Sequence, residues 1–168
     1  STTLVLTDIA VAYQGGVTHY LVGGINTAAS SADVGIALTS QDDFNSNTQQ
    51  TLANYVFGVA VGMSSDGGTR SSSNEDTVRF FACGIDSYVY KTDIASDGSF
   101  GDVTTVQVTG GNFNQLNGMG AFGIQNAIAV GEGGDHPLHH GWWRHVVRWT
   151  DRIGDVRDSL WCDDGKRD

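Results

Sequence analysis

The side chains best suited to chemistry crowd into one short stretch. Asp135, His136, His139 and His140, with His145 beyond them, offer the carboxylate and imidazole donors that hold Zn²⁺ or Ni²⁺. They are the candidate metal ligands, but Pro137 breaks the helical face that would align them, and no cofactor is expected. Asp93, Asp97, Ser99 and Asp102 set oxygens at loop spacing, as a Ca²⁺ site does. Aspartates at turns more often bond the local backbone, and that is the expectation here. Tyr20, Tyr55, Tyr88 and Tyr90 could stack on sugar rings beside Asp and Asn acceptors. Trp142, Trp143 and Trp149 add aromatic surface for a protein partner. The chain has no Gly-x-Ser-x-Gly, phosphate loop, His-Glu-x-x-His or paired Cys/His nucleophile, and no enzyme is expected. Cys83 and Cys162 match no metal or redox spacing. Cys83 falls inside a strand pattern, where a small buried hydrophobe belongs.

The elements that must position these residues repeat. Tyr20-Leu21-Val22-Gly23-Gly24-Ile25-Asn26 returns as Phe80-Phe81-Ala82-Cys83-Gly84-Ile85-Asp86, and more weakly as Ile128-Ala129-Val130-Gly131-Glu132-Gly133. Phe57-Gly58-Val59-Ala60 is echoed by Asn117-Gly118-Met119-Gly120. Self-similarity at a near-fixed spacing marks a repeat architecture. Leu4 to Leu6 and Ile9 to Val11 suit a first strand, Gln14-Gly15-Gly16 a turn, and Val17 to Ile25 the first copy of the recurring strand. Val34 to Ser40 reads as its hairpin partner, Gln41 to Gln50 as a polar loop, and Thr51 to Met63 as the next strand. After the polar linker 64–76 the cycle restarts. Val78 to Ile85, Ser87 to Thr92, Val103 to Val108 and Phe113 to Ile124 are its strands, and a third cycle opens at Asn126.

Composition bounds the partners. A formal charge of −10 over 168 residues argues against nucleic acid and anionic membrane surfaces, and no apolar run is long enough to insert in a bilayer. The opening Ser-Thr-Thr-Leu-Val-Leu-Thr has neither a basic region nor an apolar signal core. A cytosolic chain, or one from which a targeting segment has been removed, is expected. The averages hide a break: all four tryptophans, the single proline and four of the five histidines follow residue 134. The expected division is therefore a β-repeat domain over 1–134 and an atypical tail over 135–168. Within the tail, Trp142, Val146, Trp149 and Ile153 share one helical face, which predicts a helix over 141–152 that covers a sheet or docks a partner.

One cycle of three or four short antiparallel strands with Gly-rich turns fits a propeller blade, a sheet that needs a neighbour on each side. The residues resemble one such group. Ala129 to Gly134 is similar to the opening strand of blades in Asp-box propellers, the bacterial-neuraminidase-repeat type. That group includes photosystem II stability/assembly factors, sialidases and sortilin-like receptors. Ser96-Asp97-Gly98-Ser99-Phe100 and Ser40-Gln41-Asp42-Asp43-Phe44 resemble its Ser-x-Asp-x-Gly-x-Thr-Trp box, with the Trp missing and the spacing compressed. The resemblance spans about residues 17–134. Sialidase chemistry would need an arginine triad, and before Gly134 the chain has only Arg70 and Arg79, so that activity is set aside. Read one frame over, the codons of the tail permit Thr-Ile-Leu-Tyr-Thr-Thr-Asp-Gly-Gly-Asp-Thr-Trp-Ser, the continuation such a blade would have. A shifted reading frame near Gly134 is the expected origin of the tail's composition, and sequencing the gene there tests it.

The expected fold is all-β: an incomplete β-propeller-like stack of about two and a half antiparallel blades with a short C-terminal helix. The expected function is that of a non-catalytic β-repeat scaffold or accessory subunit, which self-assembles into a homo-oligomer or docks on a larger complex through its open strand edges. The resemblance implies a photosystem-associated role, in a chloroplast or thylakoid lumen, as a special case, and an extracellular site if a secretory segment has been removed. The alternative is a carbohydrate-binding, lectin-like module.

Overall fold

In the computed structural model the described residues are 2–14, 16–28, 34–63, 78–107, 113–124, 126–133, 144–150 and 157–160. They form no helix. Every element is a strand, and the strands make three four-stranded antiparallel sheets, none of them closed. The first sheet runs β1 (Thr2–Gln14), β2 (Val17–Ala28), β3 (Val34–Ser40) and β4 (Thr48–Leu52). The second runs β5 (Val56–Met63), β6 (Val78–Gly84), β7 (Tyr88–Ile94) and β8 (Thr104–Gln107). The third runs β9 (Phe113–Phe122), β10 (Asn126–Gly133), β11 (Arg144–Thr150) and β12 (Arg157–Leu160). Each sheet is a meander in which sequence neighbours are spatial neighbours, because short turns join adjacent strands at least loop cost.

The recurring glycine has a physical cause. In each sheet the first strand carries one extra residue opposite the second: Thr7, Phe57 and Asn117 lie at slips in register. Each bulge faces the same step of the motif, Gly23/Gly24, Cys83/Gly84 and Val130/Gly131. The kinked backbone presses a carbonyl onto the glycine. A Cβ on Gly24 would run into Val5 O, one on Gly84 into Tyr55 O, and one on Gly131 into Gln115 O. The motif recurs because the bulge recurs.

Sheet packing follows from the alternation of side chains across each strand. On β6, Phe80 and Ala82 join Ala12, Leu21, Ala37, Leu52, Val56 and Val59 in a core between the first and second sheets. Phe81 and Cys83, on the opposite face, join Val89, Leu116, Ala127 and Ala129 in a core between the second and third. A strand covered on both faces must be apolar throughout, and Phe80-Phe81-Ala82-Cys83 is. The first strand of each later sheet lies across the first two strands of the sheet before it: β5 meets β1 and β2, and β9 meets β5 and β6. Polar bonds pin these contacts. Thr7 Oγ1 donates to Val56 O at 2.8 Å, and Asp8 Oδ2 accepts from Val59 N at 2.8 Å. Arg79 is ion-paired with Asp93 at 2.5 Å and donates to Ile124 O at 2.8 Å, tying the second sheet to the third.

Three expectations are corrected. The segment Arg144–Thr150, within the predicted helix, is strand β11, paired residue for residue with β10 from Asn126↔Thr150 to Glu132↔Arg144. Val146, Val147 and Trp149 are as compatible with a strand as with an amphipathic helix, and pairing satisfies the backbone of β10 on that side. The third sheet thus draws strands from both sides of Gly134 and reaches four, where a half unit was expected. Finally, the strand expected over Thr51 to Met63 is two. β4 ends at Leu52, and the chain crosses to the second sheet through Ala53, Asn54 and Tyr55 without a glycine or proline to mark it.

Candidate interaction surface

The first sheet has one face against the second sheet and another on which, among the described residues, no sheet packs. The bulge at Thr7 shifts the alternation of β1, so that Leu4 and Leu6 before it and Ile9, Val11 and Tyr13 after it share the outer face. Leu6, Ile9 and Val11 are 56%, 54% and 53% exposed. Counted from the bulges, their counterparts are Val56, Val59 and Val61 in β5 and Leu116, Met119 and Ala121 in β9. Those six side chains are packed in the two inter-sheet cores. The same positions are therefore interface in two sheets and open in the third case.

A depression of about 440 Å³ opens on this face, lined by Leu6, Thr7, Asp8, Ile9, Val22, Leu38 and Phe44. Its floor is the small cluster Val22, Ile36 and Leu38, with Phe44 laid against it. The turn after β3 holds that ring in place. Ser40 Oγ donates to Asp42 Oδ1 at 2.8 Å and accepts from Phe44 N at 2.9 Å. Asp42 also accepts from Ser46 N at 2.9 Å and Ser46 Oγ at 2.6 Å. These bonds, the Ser46 hydroxyl foremost, hold the Asp42 carboxyl below the usual carboxylate range. They also stabilise left-handed backbone at Asp43 (φ 56°) and Phe44 (φ 63°), which non-glycine residues adopt only at a cost. Tyr20 flanks the depression, its hydroxyl donating to Asp43 Oδ1 at 2.5 Å and its ring tilted on Phe44 at 5.7 Å. The Asp43 contact pushes the Tyr20 phenol upward.

In the second sheet the turn after β7 is likewise tied by an aspartate to a serine. Asp97 Oδ1 accepts from Ser99 N at 2.9 Å and Ser99 Oγ at 2.6 Å, which lowers its pKa, and Phe100 packs edge-on to Phe80 at 6.3 Å. This turn docks on the first sheet, where Thr39 Oγ1 donates to Gly98 O and Gln41 Nε2 donates to Ser96 O at 2.9 Å. Gln41 Nε2 also lies 3.3 Å from Nδ1 of buried His19, whose pKa burial pushes down.

The remaining sequence candidates are dispersed. Tyr20 faces the outer surface, whereas Tyr90 is 1% exposed in the core between the first two sheets, with its hydroxyl accepting from Asn54 N at 2.9 Å. A sugar cannot reach that ring. Tyr88 stacks on Tyr90 at 6.3 Å, and Tyr55 stands edge-on to Phe57 at 6.4 Å. Asp93 is committed to Arg79, and Asp97 to its own turn. Among the described residues no group of three or more His, Cys, Asp or Glu could hold a metal ion. Trp149 lies in β11 opposite Ala127. Asp135, His136, His139, His140, Trp142 and Trp143 fall outside the described residues. Cys83 is fully buried, and burial drives its thiol up to about 12, so it stays protonated and unreactive at neutral pH. Sequence reasoning placed β1 but missed the import of Leu6, Ile9 and Val11. Aligning Thr7 with Phe57 and Asn117 would have exposed them.

The chain matches no protein family, no curated protein and no solved structure.

Proposed function

We propose that this chain is a non-catalytic β-repeat scaffold or accessory subunit, an incomplete propeller-like stack whose first sheet takes a protein partner. One observation carries the reading: Leu6, Ile9 and Val11 are exposed on the first sheet, at positions whose counterparts in the other two sheets are buried or partly buried against a neighbouring sheet. Contiguous apolar surface of this kind is costly to leave in water and marks a contact site. The serine–aspartate bonds of Ser40 with Asp42 and of Ser99 with Asp97, each beside a phenylalanine ring, support the Asp-box likeness, in which a serine and aspartate tie a hairpin over an aromatic ring. A photosystem is one larger complex on which such a subunit would dock.

Size-exclusion chromatography with light scattering, run beside a glycan array, tests this reading. A defined oligomer or a stable protein complex with no glycan signal is expected. Saturable glycan binding by a chain that forms no protein complex would replace it with the lectin-like alternative.

A further inference from the structure

The open faces of the first and third sheets are complementary to one another, and we propose that they meet head to tail between two copies of this chain. This rests on the scaffold reading and names its partner. The molecule already contains the contact twice. At each internal junction the later sheet presents larger apolar side chains from its bulged first strand, Val56, Val59 and Val61 or Leu116, Met119 and Ala121. The earlier sheet receives them on a face whose first strand carries small or hydrogen-bonding residues. Asp8 and Ala10 meet β5, with Asp8 taking the Val59 N–H. Gly58 lies so close to the backbone of Gly118 and Met119 that a Cβ would meet it at 3.0 Å. Small residues there let the next backbone approach.

Among the described residues, neither half of a third such contact is covered by another sheet. The first sheet offers Leu6, Ile9 and Val11, on which none of the described sheets packs. On the third sheet, Gly118 and Gly120 occupy the register positions of Gly58 and Ala60, and a Cβ on Gly120 would meet nothing within 4 Å. Beside them Val130, the counterpart of Cys83, is 39% exposed, although Cys83 is fully buried under β9. A receiving face without a knob and a knob face without a receiver, in one chain, define a heterologous contact. Such a contact closes into a ring if its rotation permits and otherwise extends as an open array.

Blocking one face at a time tests the arrangement. Ile9→Asp puts a charge on the knob face, and Gly120→Arg fills the receiving face, where a Cβ meets nothing within 4 Å. The wild-type chain should associate with rising concentration. Each variant alone should run as a monomer with unchanged strand circular dichroism. Mixed one to one, they should form a dimer and stop there, because each supplies the face the other lacks. If either loses its strand signature, Val11→Lys and Val130→Lys replace the pair. A wild-type monomer, a Gly120→Arg chain that still dimerises, or a mixture that stays monomeric would each overturn the head-to-tail mode. The scaffold reading falls on a different result, saturable glycan binding by the monomeric variants.

Discussion

At the scale of single residues, the strongest constraints are on glycines beneath bulges and on side chains that tie turns. Gly84 and Gly120 are both strand glycines, yet only Gly84 is pressed by a carbonyl, that of Tyr55, which also accepts from Ile85 N at 3.2 Å. Gly84→Ala should therefore destabilise the fold by about 1–3 kcal/mol, while Gly120→Ala should be near neutral, as urea melts of the two variants will read. The ionisable groups give a pH dependence of known sign. Asp42 and Asp97 have lowered pKa values when folded, so their contribution is present above the ordinary carboxylate range and is lost as pH falls through those lowered values. Burial lowers the pKa of His19 in the folded chain, so the unfolded chain, at the ordinary value of 6.5, takes up the proton first as pH falls. Stability should thus begin to fall as pH drops below about 6.5, and His19→Gln should flatten that first part of the profile in thermal melts.

At the scale of the element, the bulged first strand both kinks the sheet and positions groups that bond across to the next. Asp8 is the clearest case, since its two oxygens accept from Ile9 N and Val59 N, each at 2.8 Å. Asp8→Ala should leave the Val59 N–H without that acceptor at a sheet junction, at a cost of about 1–3 kcal/mol in chemical denaturation. Asp8→Asn keeps an acceptor oxygen and should recover part of the loss. Much of this level was legible in the sequence. The pairing of the strand ending near Ile85 with the one beginning near Ser87 was expected, and Asp86 (φ 54°) and Ser87 (φ 61°) have the left-handed backbone that a two-residue reversal requires. The split between β4 and β5 was not legible, because Ala53-Asn54-Tyr55 carries no breaker and the crossing is fixed by tertiary bonds such as that from Asn54 N to Tyr90. β11 was not legible either: a heptad-like spacing of Trp and Val suits either element until a partner edge selects one.

At the scale of the whole molecule, the charge of −10 sets the conditions under which the proposed head-to-tail contact would form. Copies of an acidic chain repel one another, and an apolar junction must overcome that repulsion. Raising ionic strength from about 10 mM to 1 M shortens the screening length roughly tenfold, so association should strengthen with salt in light scattering. Association that weakened with salt would point to a contact made by charge pairs. The sequence by itself determined the repeat, the strands before Gly134, the turns at Ser40 and Asp97 and the burial of Cys83, since each depends on local pattern or on a backbone position only certain residues can fill. Tertiary structure alone decided which apolar residues are interface. Leu6, Ile9 and Val11 are chemically like Val56, Val59 and Val61, and they differ only in whether a neighbouring sheet lies close enough to exclude water.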